Sequence, residues 1–303
     1  MENVRDKTDC KRKTRDVFMP FANLPSQSPM MPEAERYAAW CRDATTTALA
    51  QTHHVLDIAY GPDYWQKIDI YLPEAAPEGT LPTLLFMHGG YWTHGYKEWL
   101  GFMGPAFVTL PAIFISVGYR LAPAAPYPAA LADCLSALAW TYKNISSYGG
   151  APQRLFIGGH SAGGHLAALV ALRPTLLPAY GLPGSAISAC FPVSGVYDLT
   201  GPIPQDRLKA FISEGTDPLI ASPLNYTTDN RIPFLLAVGE HDFPVLYEQA
   251  HAMDAALRQA EGPVEFLEIA GADQFQISQH GGDPSQMWVQ RARAWMQDNA
   301  TSG

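Results

Sequence analysis

From residue 83 onward, runs of five to seven mostly apolar residues alternate with longer stretches in which apolar positions recur at helical spacing. The apolar runs are residues 83–87, 112–117, 154–158, 187–193, 234–238 and 264–269. Strands apolar on both faces are strands covered on both faces, as parallel strands under helices are. The helical stretches are residues 128–142, 162–172, 245–260 and 285–297. This alternation predicts an α/β fold with a mostly parallel central sheet and helices on both faces.

The upstream pattern is different. Residues 32–51 predict a helix with proline in its first turn. Residues 55–60 and 67–72 predict two strands. The second, Lys67-Ile68-Asp69-Ile70-Tyr71-Leu72, alternates polar and apolar, the pattern of a half-buried antiparallel strand. Residues 1–30 are polar, then rich in Pro and Ser, with no sustained period. They predict an arm or lid segment ahead of a single domain over residues 31–303.

Composition narrows the function classes. Hydrophobic residues are 47% of the 303, enough for a large core, which excludes a disordered chain. A formal net charge of -9 argues against nucleic acid or an anionic membrane as the main partner. No apolar run approaches the ~20 residues of a membrane span. The four cysteines, Cys10, Cys41, Cys134 and Cys190, are widely spaced and form no metal or disulfide pattern. The charged N-terminus has no apolar secretory core, so a cytoplasmic location is expected.

The chemistry centres on Gly159-His160-Ser161-Ala162-Gly163. This G-x-S-x-G follows a predicted strand and opens a predicted helix, the context in which a serine sits on a sharp turn as a nucleophile. The helix N-terminus favours developing negative charge there. Upstream, His88-Gly89-Gly90-Tyr91-Trp92 directly follows a core strand. Acyl transfer needs backbone N–H donors for the oxygen that becomes negative. The expected donors are those of Gly89, Gly90 and Ala162, with His88 bracing the loop.

HGGYW, then GYRLAP (118–123), then GHSAGGHLA (159–167) resemble the α/β-hydrolase superfamily. Within it the chain is most similar to the kynurenine formamidase (arylformamidase) branch, next to the hormone-sensitive-lipase-like esterases. The resemblance covers about residues 60–296. Esterases of that group usually carry a third glycine after HGG and an acidic residue before the serine. Here Tyr91 and His160 occupy those places, the formamidase pattern. The resemblance also implies that an N-terminal segment, residues 18–24, contributes to a lid.

In this fold the triad order is Ser, then Asp or Glu, then His. The loop after the strand at 234–238 reads Gly239-Glu240-His241-Asp242-Phe243-Pro244. The resemblance assigns Asp242 as the acid, with Glu240 as the alternative. The loop after the last strand should carry the base in a D-H-F pattern, yet it reads Asp273-Gln274-Phe275. Gln274 therefore occupies the expected histidine position. Of the nine histidines, only His280 lies past the last strand. Three explanations stand open: an engineered His→Gln change that traps substrate, which the intact Ser161 and glycines favour; a natural binding protein that lost its base; or His280 acting as base.

Aromatic residues near the motifs, Tyr91, Trp92, Phe191, Tyr197, Phe243 and Phe275, with Trp99, predict a pocket for a planar aryl group. The expected partner is a small aromatic amide or ester, and no cofactor or metal is expected. Homodimerisation is left open.

Overall fold

The computed structural model describes residues 21–74 and 79–298. The chain begins with helix α1 (Pro32–Gln51) and strands β1 (His53–Ala59), β2 (Lys67–Leu72) and β3 (Leu81–Met87). A 3-10 segment (Lys97–Met103) leads into α2 (Gly104–Val108) and β4 (Ile113–Val117). Then come α3 (Ala129–Asn144), β5 (Gly150–His160), α4 (Ala162–Leu172), β6 (Ala189–Val193) and α5 (Gln205–Phe211). The chain continues through β7 (Phe234–His241), α6 (Pro244–Gln259), β8 (Val264–Asp273), α7 (Gln274–Gln279) and α8 (Met287–Asp298).

The eight strands form one sheet in the order β1-β2-β4-β3-β5-β6-β7-β8. β1–β2 and β2–β4 are antiparallel and every other pair is parallel. Side chains alternate across the sheet, so the continuous apolar runs feed two cores. Leu85, Met87 and Ile115 face the core packed by α3, α4 and α6. Leu84, Phe86 and Phe114 face the core packed by α1, α2 and α8. That two-sided cover is why these runs lack alternation.

β2 is antiparallel, as its alternation predicts, but it is not half-buried. Asp69 is only 2% exposed because β2 is an interior strand of the sheet. The Lys97 ammonium lies 2.8 Å from its carboxylate and 2.7 Å from Glu98. Burial alone would favour the neutral acid, and this pairing compensates the charge. The alternation at β2 thus reports a buried ion cluster rather than a solvent face. β5 and β8 extend beyond their apolar stretches, and their C-terminal ends carry His160 and Asp273. Cys41, Cys134 and Cys190 are free and buried. Cys10 and residues 18–20 of the expected lid lie outside the described residues. Among the described residues, no helix is long and apolar enough to cross a membrane.

Candidate active site

Ser161 sits between β5 and α4 with φ 55° and ψ -117°, the strained turn that its motif predicts. Ladder-like support comes from its N–H, which donates to Val193 O at 2.9 Å. The turn is tight enough that a Cβ on Gly163 would stand 2.1 Å from Met87 O, so only glycine lets α4 start against β3.

Opposite Ser161 runs the Gly89-Gly90 loop. Gly90 has φ +121°, and a Cβ there would lie 2.3 Å from His94 O. The N–H groups of Gly89, Gly90 and Ala162 have no acceptor among the described residues. His88 braces the loop as expected. Its Nδ1 hydrogen-bonds Gly89 O at 2.8 Å, and its ring stacks on Tyr119 at 4.2 Å. The Tyr119 hydroxyl donates to His88 O at 2.8 Å, so the GYRLAP segment supports the HGG loop from behind.

Asp242 follows β7 and is 7% exposed. Burial pushes its carboxyl pKa up, opposed by hydrogen bonds from the Ser194 hydroxyl and from the Phe243 N–H at 2.7 Å. Glu240, the alternative acid, accepts from Gly271 N–H on the exposed surface instead.

Gln274 is the first residue of α7. Asp273 caps that helix by accepting from Phe275 N–H and Gln276 N–H, while Gln276 Oε1 accepts from Asp273 N–H. This capping box explains why a helix begins where the sequence pattern suggests only a loop. The Gln274 amide stands with its nitrogen toward Asp242, since the reverse would set oxygen against oxygen. In this orientation it donates to Asp242 Oδ1 at 2.6 Å and accepts from Ser161 Oγ at 3.0 Å. Ser161, Gln274 and Asp242 therefore form one hydrogen-bonded chain. His160 fixes the Gln274 backbone through Nε2, 2.8 Å from Gln274 O. His280 begins the 3-10 turn His280–Gly282 and does not line the cavity above Ser161.

That cavity has a volume of about 270 Å³. Gly89, Gly90, His160, Ser161 and Gln274 line it, together with the aromatic walls Tyr37, Tyr91, Trp99, Phe243 and Phe275. Met30 and Met31, Asp206 and Arg207 also line it, and Met31 is 44% exposed. Arg207 lies 5.9 Å from the Tyr91 ring centroid and pairs with Asp206 at 3.4 Å.

Three expected pocket residues lie elsewhere. Trp92 is fully buried, stacked on Phe211 at 4.2 Å, and donates Nε1–H to His165 Nδ1 at 3.0 Å. Its neighbour Tyr91 takes the cavity, because successive side chains on the loop diverge. Phe191 points from β6 into the α1–α8 core against Phe156 and Trp295. Tyr197 is buried in the opposite core. Conversely, Tyr37, Met30, Met31 and Arg207 carry no local motif, and only the fold brings them to Ser161.

His88, His160 and His165 are buried, and burial pushes each pKa from the ordinary 6.5 down to about 4. The unfolded chain takes up these protons near pH 6.5, whereas the folded chain resists until about pH 4. The stability they permit is present above pH 6.5 and lost as pH falls toward 4. At pH 5 each costs roughly 2 kcal/mol. Urea unfolding should therefore give a markedly lower midpoint at pH 5 than at pH 7.5. Equal midpoints would contradict the buried neutral assignment.

A family model, BD-FAE, matches residues 68–257, more than half of the chain. The chain belongs to the BD-FAE family. It is a member of the α/β-hydrolase superfamily. It is 34% identical over 71% of its length to "Esterase LipQ" of Mycobacterium tuberculosis (strain ATCC 25618 / H37Rv), of which it spans 56%. It is 28% identical over 78% of its length to "Kynurenine formamidase" of Danio rerio, spanning 80% of that protein. Its fold matches a hyperthermophilic esterase from Pyrobaculum calidifontis at TM-score 0.71 and 21% identity, covering 88% of this chain and 93% of that one.

Proposed function

We propose that the chain is a serine hydrolase scaffold for small aromatic amides or esters, in the manner of an arylformamidase, with its base position occupied by Gln274. The observation that carries this reading is the Ser161–Gln274–Asp242 hydrogen-bonded chain beneath three unengaged backbone N–H groups. In the competent form, Ser161 attacks the acyl carbon and a histidine at position 274 takes the serine proton. Asp242 orients that imidazole, and the N–H groups of Gly89, Gly90 and Ala162 hold the oxyanion. Protonation of the leaving group frees it, and water then hydrolyses the acyl-enzyme. The relatives bearing esterase and formamidase names support an acyl substrate, and the aromatic cavity walls support an aryl group. The loss of the base alone, with the elbow and both loop glycines retained, favours an engineered inactive variant.

The second reading is a ligand-binding protein. It is favoured by one observation: both ends of the Gln274 amide are satisfied, so the site is well formed without a base.

Fluorophosphonate labelling tests the assignment. With Gln274→His, the probe is expected to modify Ser161 and no other serine, read by peptide mass spectrometry. Labelling elsewhere, or none, would remove Ser161 as the nucleophile.

A further inference from the structure

His160, the residue preceding Ser161, lines the cavity although it is only 4% exposed. Its two ring nitrogens have different surroundings. Nε2 lies 2.8 Å from Gln274 O, and a carbonyl can only accept, so Nε2 carries a hydrogen. The ring is neutral at working pH, because burial pushes its pKa to about 4. The single proton is thus committed to Nε2, and Nδ1 presents a lone pair. Nδ1 takes no hydrogen bond from any described residue, and its edge faces the oxyanion loop, where a Cβ on Gly89 would stand 3.1 Å away.

Three backbone acceptors around Ser161 are already engaged. Gly89 O meets His88 Nδ1, Gly90 O takes the N–H groups of Thr93 and His94, and Gln274 O takes His160. Among the described residues, the inner cavity therefore offers backbone donors without acceptors, on Gly89, Gly90 and Ala162, and beside them an imidazole acceptor without a donor, Nδ1. An ester brings only acceptors. A secondary amide brings a carbonyl for the donors and an N–H for the acceptor.

We propose that His160 Nδ1 is a specificity-determining acceptor that receives the N–H of a secondary aryl amide and biases the site toward amides over the matching esters. This rests on the hydrolase reading for its kinetic consequence, and on cavity geometry alone for its binding consequence. A buried acceptor left unpaired by an ester penalises that substrate, and sites built this way discriminate strongly against analogues lacking the hydrogen.

The decisive variant is His160→Gln, whose side-chain amide can still donate toward Gln274 O but places no acceptor at the Nδ1 position. Acetanilide and phenyl acetate differ at one position, N–H against O. In the Gln274→His background, His160→Gln is expected to lower the acetanilide-to-phenyl acetate ratio of kcat/KM by about tenfold or more. A purely structural loss would lower both rates and leave the ratio unmoved, and that result overturns the proposal. Binding to the chain with Gln274 in place supplies a second readout by calorimetry, using acetanilide and phenylacetone, which has CH2 in place of N–H. Acetanilide should bind more tightly, and His160→Gln should remove the preference. If Gln274→His hydrolyses neither substrate, the hydrolase reading fails, and this binding preference alone decides the role of Nδ1. No preference, or one insensitive to His160→Gln, overturns it.

Discussion

Gln274→His is expected to raise the hydrolysis of aryl amides or esters by about 10⁴-fold or more, from the residual level that oxyanion donors and substrate binding support without a base. The reason is protonic. The Gln274 amide already spans the gap between Asp242 and Ser161, donating to the first and accepting from the second. Its oxygen can receive a hydrogen bond but cannot take up the proton near neutral pH. Ser161 must therefore attack as a neutral hydroxyl. A histidine at this position needs no rearrangement of the backbone, which His160 holds from one side and the Asp273 cap from the other. Nδ1–H would replace the amide donor toward Asp242, and Nε2 would replace the amide acceptor toward Ser161. A panel of formanilide, acetanilide, an aryl ester and an aryl carbamate, assayed on both forms, measures the gain and ranks the substrates. High activity with Gln274 in place would contradict this account. Adding His280→Ala to that form asks whether His280 supplies a base after all, a role its place outside the cavity argues against.

Legibility in the sequence followed locality. Helices α1 and α4 and strand β2 lie where the hydrophobic period and the first-turn proline of α1 predict, because each is specified by its own side chains and cover. The serine elbow was readable for the same reason: Gly159, Ser161 and Gly163 meet within one turn. Helix α7 was not, although the capping pair Asp273 and Gln276 was present, because six residues carry too little periodicity to stand out from a loop. Helix α5, which brings Arg207 to the cavity, is similarly short. The aromatic wall shows the limit most clearly. Tyr91, Phe243 and Phe275 line the cavity, whereas Trp92, Phe191 and Tyr197, equally close to motifs, pack the cores. Proximity to a motif does not set which way a side chain points. Tyr37 reaches the site from α1, far away in sequence, where its hydroxyl meets Ser278 Oγ at 2.7 Å and its ring lies 5.3 Å from Phe275.

Asp242→Asn is the complementary test, and its effect should depend on the residue at position 274. With histidine there, the substitution is expected to cut kcat by about 10⁴-fold while leaving KM within a few-fold. Asp242 Oδ1 accepts from Phe243 N–H, and Oδ2 accepts from the Ser194 hydroxyl. An asparagine would keep its oxygen at the Oδ1 place, on the Phe243 N–H and nearest the residue at 274, because that backbone donor cannot turn away, and would put its NH2 at the Oδ2 place, against Ser194. Ser194 can rotate and accept. The neutral amide can still accept from Nδ1–H, but it carries no negative charge to stabilise the imidazolium formed when the serine proton is taken. With Gln274 in place, the same substitution should leave substrate affinity nearly unchanged, since no proton transfer depends on the pair and the Gln274 amide can turn. Steady-state kinetics in one background and calorimetry in the other separate the two effects. A comparable loss of affinity in both would mean that Asp242 holds the shape of the cavity rather than the state of a base.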